Sequence, residues 1–165
     1  MKVLKFGGTS VAGTQQIQKV AEIIQSTQDC QVVVVSALGG VTDNLIEAGK
    51  LAEQGDQAYQ RVLENLANRH RIVCNNLLED LENEIQREIT LLFTQLDSIT
   101  NGIFLLKEFT SRTSDLILSF GEKLSAKIMT AYLKKLGIKS EYLDSGEIII
   151  TNDFHDGAGI NFELS

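Results

Sequence analysis

Proline is absent from all 165 residues. Its absence suits long helices, which an internal proline would break, and argues against a loop-dominated all-β fold. Cysteine is scarce. Cys30 and Cys74 stand far apart with no Cys-x-x-Cys spacing, so buried thiols in a reducing compartment are expected rather than a disulfide framework. The two histidines, His70 and His155, form no ligand cluster in sequence; packing or surface roles are expected for both, and no metal site built by the chain. Basic blocks are missing too. A net charge of −7 without such a block makes a poor grip for nucleic acid or an anionic membrane surface, although a local anion site remains compatible with it. Met1 and Lys2 lead into only a short apolar stretch before Gly7, so no signal peptide is expected. Unbroken apolar runs such as residues 32–35 are far too short to span a bilayer. These absences together point to a cytoplasmic protein.

What is present is ordinary for a soluble domain with a sizeable core: 43% apolar and 22% charged residues, which argues against disorder. Residues 2–6 form an apolar run ending at Gly7-Gly8 and predict a first strand. Ile17, Val20, Ala21 and Ile24 recur at helical spacing over residues 14–26. The four valines within residues 31–36 predict a strand covered on both faces. The order strand, glycine turn, helix, strand, glycine turn is a βαβ unit with parallel strands. The middle is helical. Leu45, Ala48, Gly49 and Ala52 share one face. Ala58, Val62, Leu66, Val73 and Leu77 continue the period. Asn83 and Gln86 resemble a capping box before the stripe Ile85, Ile89, Leu92, Phe93 and Leu96. A last helix is expected over about 113–136, stopped by Gly137. Tyr142-Leu143 and Ile148 to Ile150 return to strand character, and residues 153–159 have loop composition. There is no internal repeat. The expected class is α/β, a three-layer α/β/α arrangement around a mainly parallel sheet, with a helical segment at about 43–136.

Three segments could carry chemistry. In the first, Lys5 precedes Gly7, Gly8, Thr9 and Ser10 at the carboxyl end of the first strand. Glycines let a phosphate approach the backbone, the hydroxyls add donors, the next helix offers its amino end, and Lys5 supplies charge. A glycine turn needed only for chain reversal is the plain alternative. The spacing is neither a Walker A loop nor a Gly-x-Gly-x-x-Gly fingerprint. The second segment, residues 36–44, ends the second strand on the same rim, where open α/β sheets bind ligands. Ser36 and Thr42 can bond a small polar ligand, with Gly39-Gly40 clearing space; Thr42 could equally cap the next helix. The third, residues 119–125, places Gly121 inside a helix, at a cost of about 1 kcal/mol against alanine. This suggests close approach of a ligand or another backbone. Glu122 could bind an ammonium group, or belong to a solvated Glu-Lys face. Arg112 and Asp115 upstream fit a helix-start ion pair or cap better than catalysis.

In this order the segments resemble the aspartokinases of the amino acid kinase superfamily. MKVLKFGGTSVA is similar to the family's amino-terminal signature, VVVSALGGVTDNL to its second segment, RTSDLILSFGEKLSA to its third and IIITNDFHDGA to the stretch that follows. The resemblance implies ATP-dependent, Mg2+-assisted phosphorylation of the L-aspartate side-chain carboxylate, opening lysine, threonine and methionine biosynthesis. Lys5 would then stabilise phosphoryl charge. Gly7, Gly8, Thr9 and Ser10 would line the phosphates, Ser36 and Thr42 would contact aspartate, and Glu122 would hold its ammonium. A carboxylate nucleophile needs no general base, only positioning and charge neutralisation. The resemblance also implies a homo-oligomer in the full-length protein, and a nucleotide-binding half and regulatory domains beyond residue 165. On this view the chain is an amino-terminal fragment without turnover of its own. A non-catalytic ligand-binding or assembly module of the same fold is the alternative. A nicotinamide-binding domain is disfavoured, because Ser36 stands where an acidic residue would end the second strand.

Overall fold

The structure is a computed structural model that describes residues 2–27, 30–78, 82–152 and 158–165. Strand β1 (Lys2–Phe6) is followed by a 3-10 turn, Gly8–Val11, and helix α1 (Thr14–Ser26). Strand β2 (Cys30–Val35) then pairs parallel to β1, with Val3 opposite Val32 and Phe6 opposite Val35. The sequence therefore anticipates the βαβ unit correctly. Strand alternation sends Leu4, Phe6, Val33 and Val35 into the core with Ile17, Val20 and Ile24 of α1. Val3, Lys5, Val32 and Val34 take the other face, where the three valines are 56%, 41% and 45% exposed. The valine run is thus covered on one face only by the described residues.

Four helices follow: α2 (Val41–Gln54), α3 (Ala58–Leu78), α4 (Glu82–Leu106) and α5 (Ser111–Lys135). The expected helical middle and α/β class are both found. Helices α2 to α5 pack on one another, and α5 also meets β2. Residues 84–106 are long and apolar enough to cross a membrane by composition alone. Here they lie in the bundle, with Ile85, Ile89, Leu96 and Ile103 buried on its inner face.

Helix ends refine several expectations. Gly40, not Thr42, is the N-cap of α2, with φ +79. Thr42 lies inside the first turn, and the capping alternative for it falls. Thr110 is the N-cap of α5, its side chain accepting from the Thr113 amide at 3.2 Å. Gln86 donates to Asn75 of α3 at 2.6 Å, and α4 as described starts at Glu82, so that Asn83 lies within it. Gly137, at φ +77, stops α5 as expected, with the Ile138 amide reaching the Leu133 carbonyl at 2.9 Å.

The late strands do not form. Residues 139–144 run without regular structure, and Ser145–Glu147 is a 3-10 turn. Beyond it, the pairing among the described residues is an isolated antiparallel bridge between Thr151 and Ile160. Apolar character alone cannot make a strand; it needs a partner edge with matching hydrogen bonds. Residues 138–143, α5 and β2 instead border a cleft of about 400 Å3. The run 153–157, including His155, lies outside the described residues.

Candidate functional site

The three motif segments meet at the carboxyl end of the strands. The Ser36 amide bonds the Phe6 carbonyl at 3.0 Å, extending the ladder one step past β2. From there both chains turn, and the turns interlock. A Cβ placed on Gly8 would stand 3.1 Å from the Ala37 carbonyl, and one on Gly39 would stand 3.1 Å from the Ala12 Cβ and 3.3 Å from the Gly8 carbonyl. A Cβ on Gly121 would come within 2.7 Å of the Ala37 Cβ. What faces Gly121 is neither a ligand nor another backbone but side chains, the Ala37 Cβ with Val41 and Leu45 behind it. Next to it, Glu122 accepts a hydrogen bond from the Ala37 amide at 3.3 Å, so α5 holds the second loop through glycine and carboxylate together.

Gly8 and Gly39 thus serve loop-to-loop packing. Gly7 is different, because nothing among the described residues lies within 4 Å of its Cβ position. Gly7 is half-buried, with room beside its Cα. Thr9, Ser10, Thr42 and Glu122 are exposed around the loops, and Ser36 is half-buried. The helix expected over residues 14–26 is found there, but it does not start directly on the first loop. A 3-10 turn intervenes, closed by the Ser10 amide on the Gly7 carbonyl at 2.9 Å, and α1 begins only at Thr14. Lys5 projects from the open face of β1, two residues before Gly7 and opposite Val34. It belongs to the same rim but does not join the interlocked contacts.

Arg69, on α3, carries no sequence signal. Its Nη2 donates to the Ala12 carbonyl at 2.8 Å, across 57 residues of chain. No motif spacing could have found it, because the contact exists only once the helical segment folds back over the loops.

Beyond Glu122, Lys123 pairs with Asp144 at 2.9 Å, and Asp144 also accepts from the Gly146 amide at 3.0 Å. Burial alone would raise the Asp144 pKa. The bonds from Lys123 and Gly146, with the charges of Lys123 and Lys127, outweigh burial and hold it below the usual range. Lys127 bonds Glu88 at 2.6 Å and lies over the Tyr142 ring at 4.3 Å. Burial and the neighbouring carboxylates of Asp144 and Glu147 raise the Tyr142 pKa. These contacts tether residues 142–147 to α5. Among the described residues, no group of three or more His, Cys, Asp or Glu could hold a metal.

Comparison with known proteins agrees with this geometry. The model of the amino acid kinase family matches residues 1–160. Aspartokinase 1, chloroplastic, of Arabidopsis thaliana is 35% identical over 161 residues, 94% of this chain and 27% of that protein. The bifunctional aspartokinase/homoserine dehydrogenase 2, chloroplastic, of the same plant is 30% identical over 153 residues, 91% of this chain and 17% of that protein. E. coli aspartokinase III in complex with aspartate and ADP superposes with a TM-score of 0.89 at 24% identity, covering 98% of this chain and 35% of that one. The same enzyme in complex with lysine and aspartate gives 0.88. At that identity the likeness is one of fold. The chain spans about a third or less of the length of these relatives.

Proposed function

The chain belongs to the amino acid kinase family, and on that premise we propose that it is the acceptor-side part of an aspartate kinase. In this reading the side-chain carboxylate of L-aspartate attacks the γ-phosphorus of ATP. A new P–O bond forms, the bridging P–O bond to ADP breaks, and aspartyl phosphate and ADP leave. The product opens lysine, threonine and methionine biosynthesis. The observation that carries the proposal is the convergence of three segments distant in sequence: Gly8 on Ala37, Gly39 on Ala12, and Gly121 with Glu122 on Ala37.

The roles follow from placement. The room beside Gly7, with Gly8 and the exposed hydroxyls of Thr9 and Ser10, suits a phosphate chain. Lys5 stands beside that loop with an exposed ammonium, suited to neutralise charge on the transferring phosphoryl group. Ser36 and Thr42 border the second loop and would bond aspartate. Glu122, fixed on one oxygen by the Ala37 amide, would receive the substrate ammonium. The nucleophile is already ionised, so catalysis reduces to positioning and charge. Mg2+ would offset phosphate charge; the described residues supply no ligand cluster for it, and no step is routed through it. The 165 residues amount to 27% of one aspartokinase relative. Turnover, a cytoplasmic location and self-assembly are proposed for the whole protein, and the 165 residues alone are proposed to bind aspartate weakly without turnover.

A second reading, a non-catalytic assembly module, is favoured by the exposed valines of the open sheet face. One assay separates the two. The protein expressed from its uninterrupted reading frame is tested for aspartate-dependent ADP release with Mg-ATP, beside its Lys5→Ala variant and the 165-residue chain. The kinase reading expects release in the first only, with a loss of about 100-fold or more in the lysine variant. No release from a folded protein sinks it.

A further inference from the structure

We propose that Arg69 is a positioning residue that holds the phosphate-side loop in register with the acceptor-side loop. Its Nη2 donates to the Ala12 carbonyl at 2.8 Å, and Ala12 closes the 3-10 turn Gly8–Val11 at its carboxyl end. Its Nη1 lies 4.0 Å from the place a Gly40 Cβ would occupy, and Gly40 is the N-cap of α2. One guanidinium therefore bonds the exit of the first loop and lies against the exit of the second. It reaches them from α3, across 57 residues of chain.

The bond is charge-assisted and half-buried, which makes it stronger than a neutral surface contact. Its position is not what a purely structural contact would select. A cation beside the N-terminus of α2 opposes the helix dipole, and a neutral donor would satisfy Ala12 without that cost. The guanidinium instead adds positive potential to a rim that, in the kinase reading, must gather a carboxylate and a triphosphate. It need not touch either substrate. The loops it joins carry Gly7, Thr9 and Ser10 on one side and Ser36 and Thr42 on the other. A displacement of about 1 Å between such groups is enough to cost two orders of magnitude in rate.

The catalytic consequence rests on the kinase function proposed above; the loop clamp does not. The test uses the protein from its uninterrupted reading frame, with Arg69→Ala and Arg69→Lys variants. Amide exchange of residues 8–12 and 39–42, thermal midpoint, and kcat and KM for both substrates are measured. Arg69→Ala should speed exchange at both loops and lower kcat about tenfold or more. KM should change less, because every substrate-touching group is still present. The lysine variant, which keeps the charge but not the fork, should recover part of the loss. Two results overturn the proposal. One is loop exchange and kcat within about twofold of the parent. The other is a lowered midpoint with exchange raised throughout α2 and α3, which marks a general packing role. If the alanine variant does not fold, the lysine variant is judged by the same readouts. If the parent releases no ADP, the kinase reading fails and loop exchange alone decides the clamp.

Discussion

A methyl group added at Gly121 would stand 2.7 Å from the Ala37 Cβ, with Val41 and Leu45 behind it. Backbone would have to move, because all these atoms lie in the core. Gly121→Ala should therefore destabilise the fold by about 1–3 kcal/mol, read as a lower denaturant midpoint. Gly7→Ala should not, since its Cβ meets nothing among the described residues within 4 Å and its φ of −74 suits any residue. It should instead weaken nucleotide binding by filling the open side of the loop; unchanged affinity would show that this backbone is not where phosphate sits. The sequence marked both glycines as unusual but could not tell these reasons apart. Which atoms face a glycine is decided by chains that arrive from elsewhere. Arg69 shows the same limit more sharply, because nothing near it in sequence announces Ala12.

His70 is fully buried, one residue from Arg69. Its Nδ1 lies 2.7 Å from the Leu66 carbonyl, and its Nε2 finds no hydrogen-bond partner among the described residues. The ring packs edge-on against Phe93, with ring centroids 5.4 Å apart. Burial lowers its pKa to about 4, against a smaller opposing effect of the Leu66 bond. The folded chain thus keeps the ring neutral where the unfolded chain protonates it. Stability is fully present above pH 6.5 and is lost as pH falls toward 4, by up to roughly 3 kcal/mol. His70→Leu should flatten the thermal midpoint between pH 6.5 and 4.5. Asp144, whose pKa is also lowered, acts in the same direction but only below the ordinary carboxylate range, so the two windows separate. An unchanged pH slope in the leucine variant would place the titration elsewhere.

At the scale of elements, helices were legible because their signal is local. Ile85, Ile89 and Leu96 announce the buried face of α4 wherever it docks. Gly102 sits on that helix with nothing among the described residues within 4 Å of its Cβ position, so neither packing nor a turn there requires it. Gly102→Ala should raise stability by about 0.5–1 kcal/mol, through helix propensity alone. A lower midpoint would mean that the glycine serves a contact made outside these residues. Strands were less legible for a related reason. β1 and β2 were found because each supplies the other's edge. Residues 142–143 and 148–150 have strand composition, yet Asp144 caps a 3-10 turn between them, accepting from Gly146. Lys123 and Lys127 hold the flanks on α5. Apolar pattern predicts a willingness to pair, and pairing requires an edge that the same pattern cannot name.

For the whole molecule, the unequal covering of the sheet matters most. The core face carries Leu4, Phe6, Val33 and Val35 against α1 and α5, while Val3, Val32 and Val34 face outward at 56%, 41% and 45% exposure. Three adjacent β-branched side chains on a solvent face form a patch of the kind that drives sheet association. The net charge of −7 opposes that association at long range, and salt removes the opposition. The 165-residue chain should therefore self-associate more readily as salt is raised. Replacing Val32 and Val34 by threonine keeps β-branching and strand propensity while making the face polar. The double variant should stay monomeric to higher concentration and salt, with an unfolding free energy within about 0.5 kcal/mol of the parent. Light scattering and denaturation on the two proteins check both halves. Equal association would move its source to the exposed leucines of the helices, Leu91, Leu105 and Leu106. A large loss of stability would mean that this sheet face is already packed in solution.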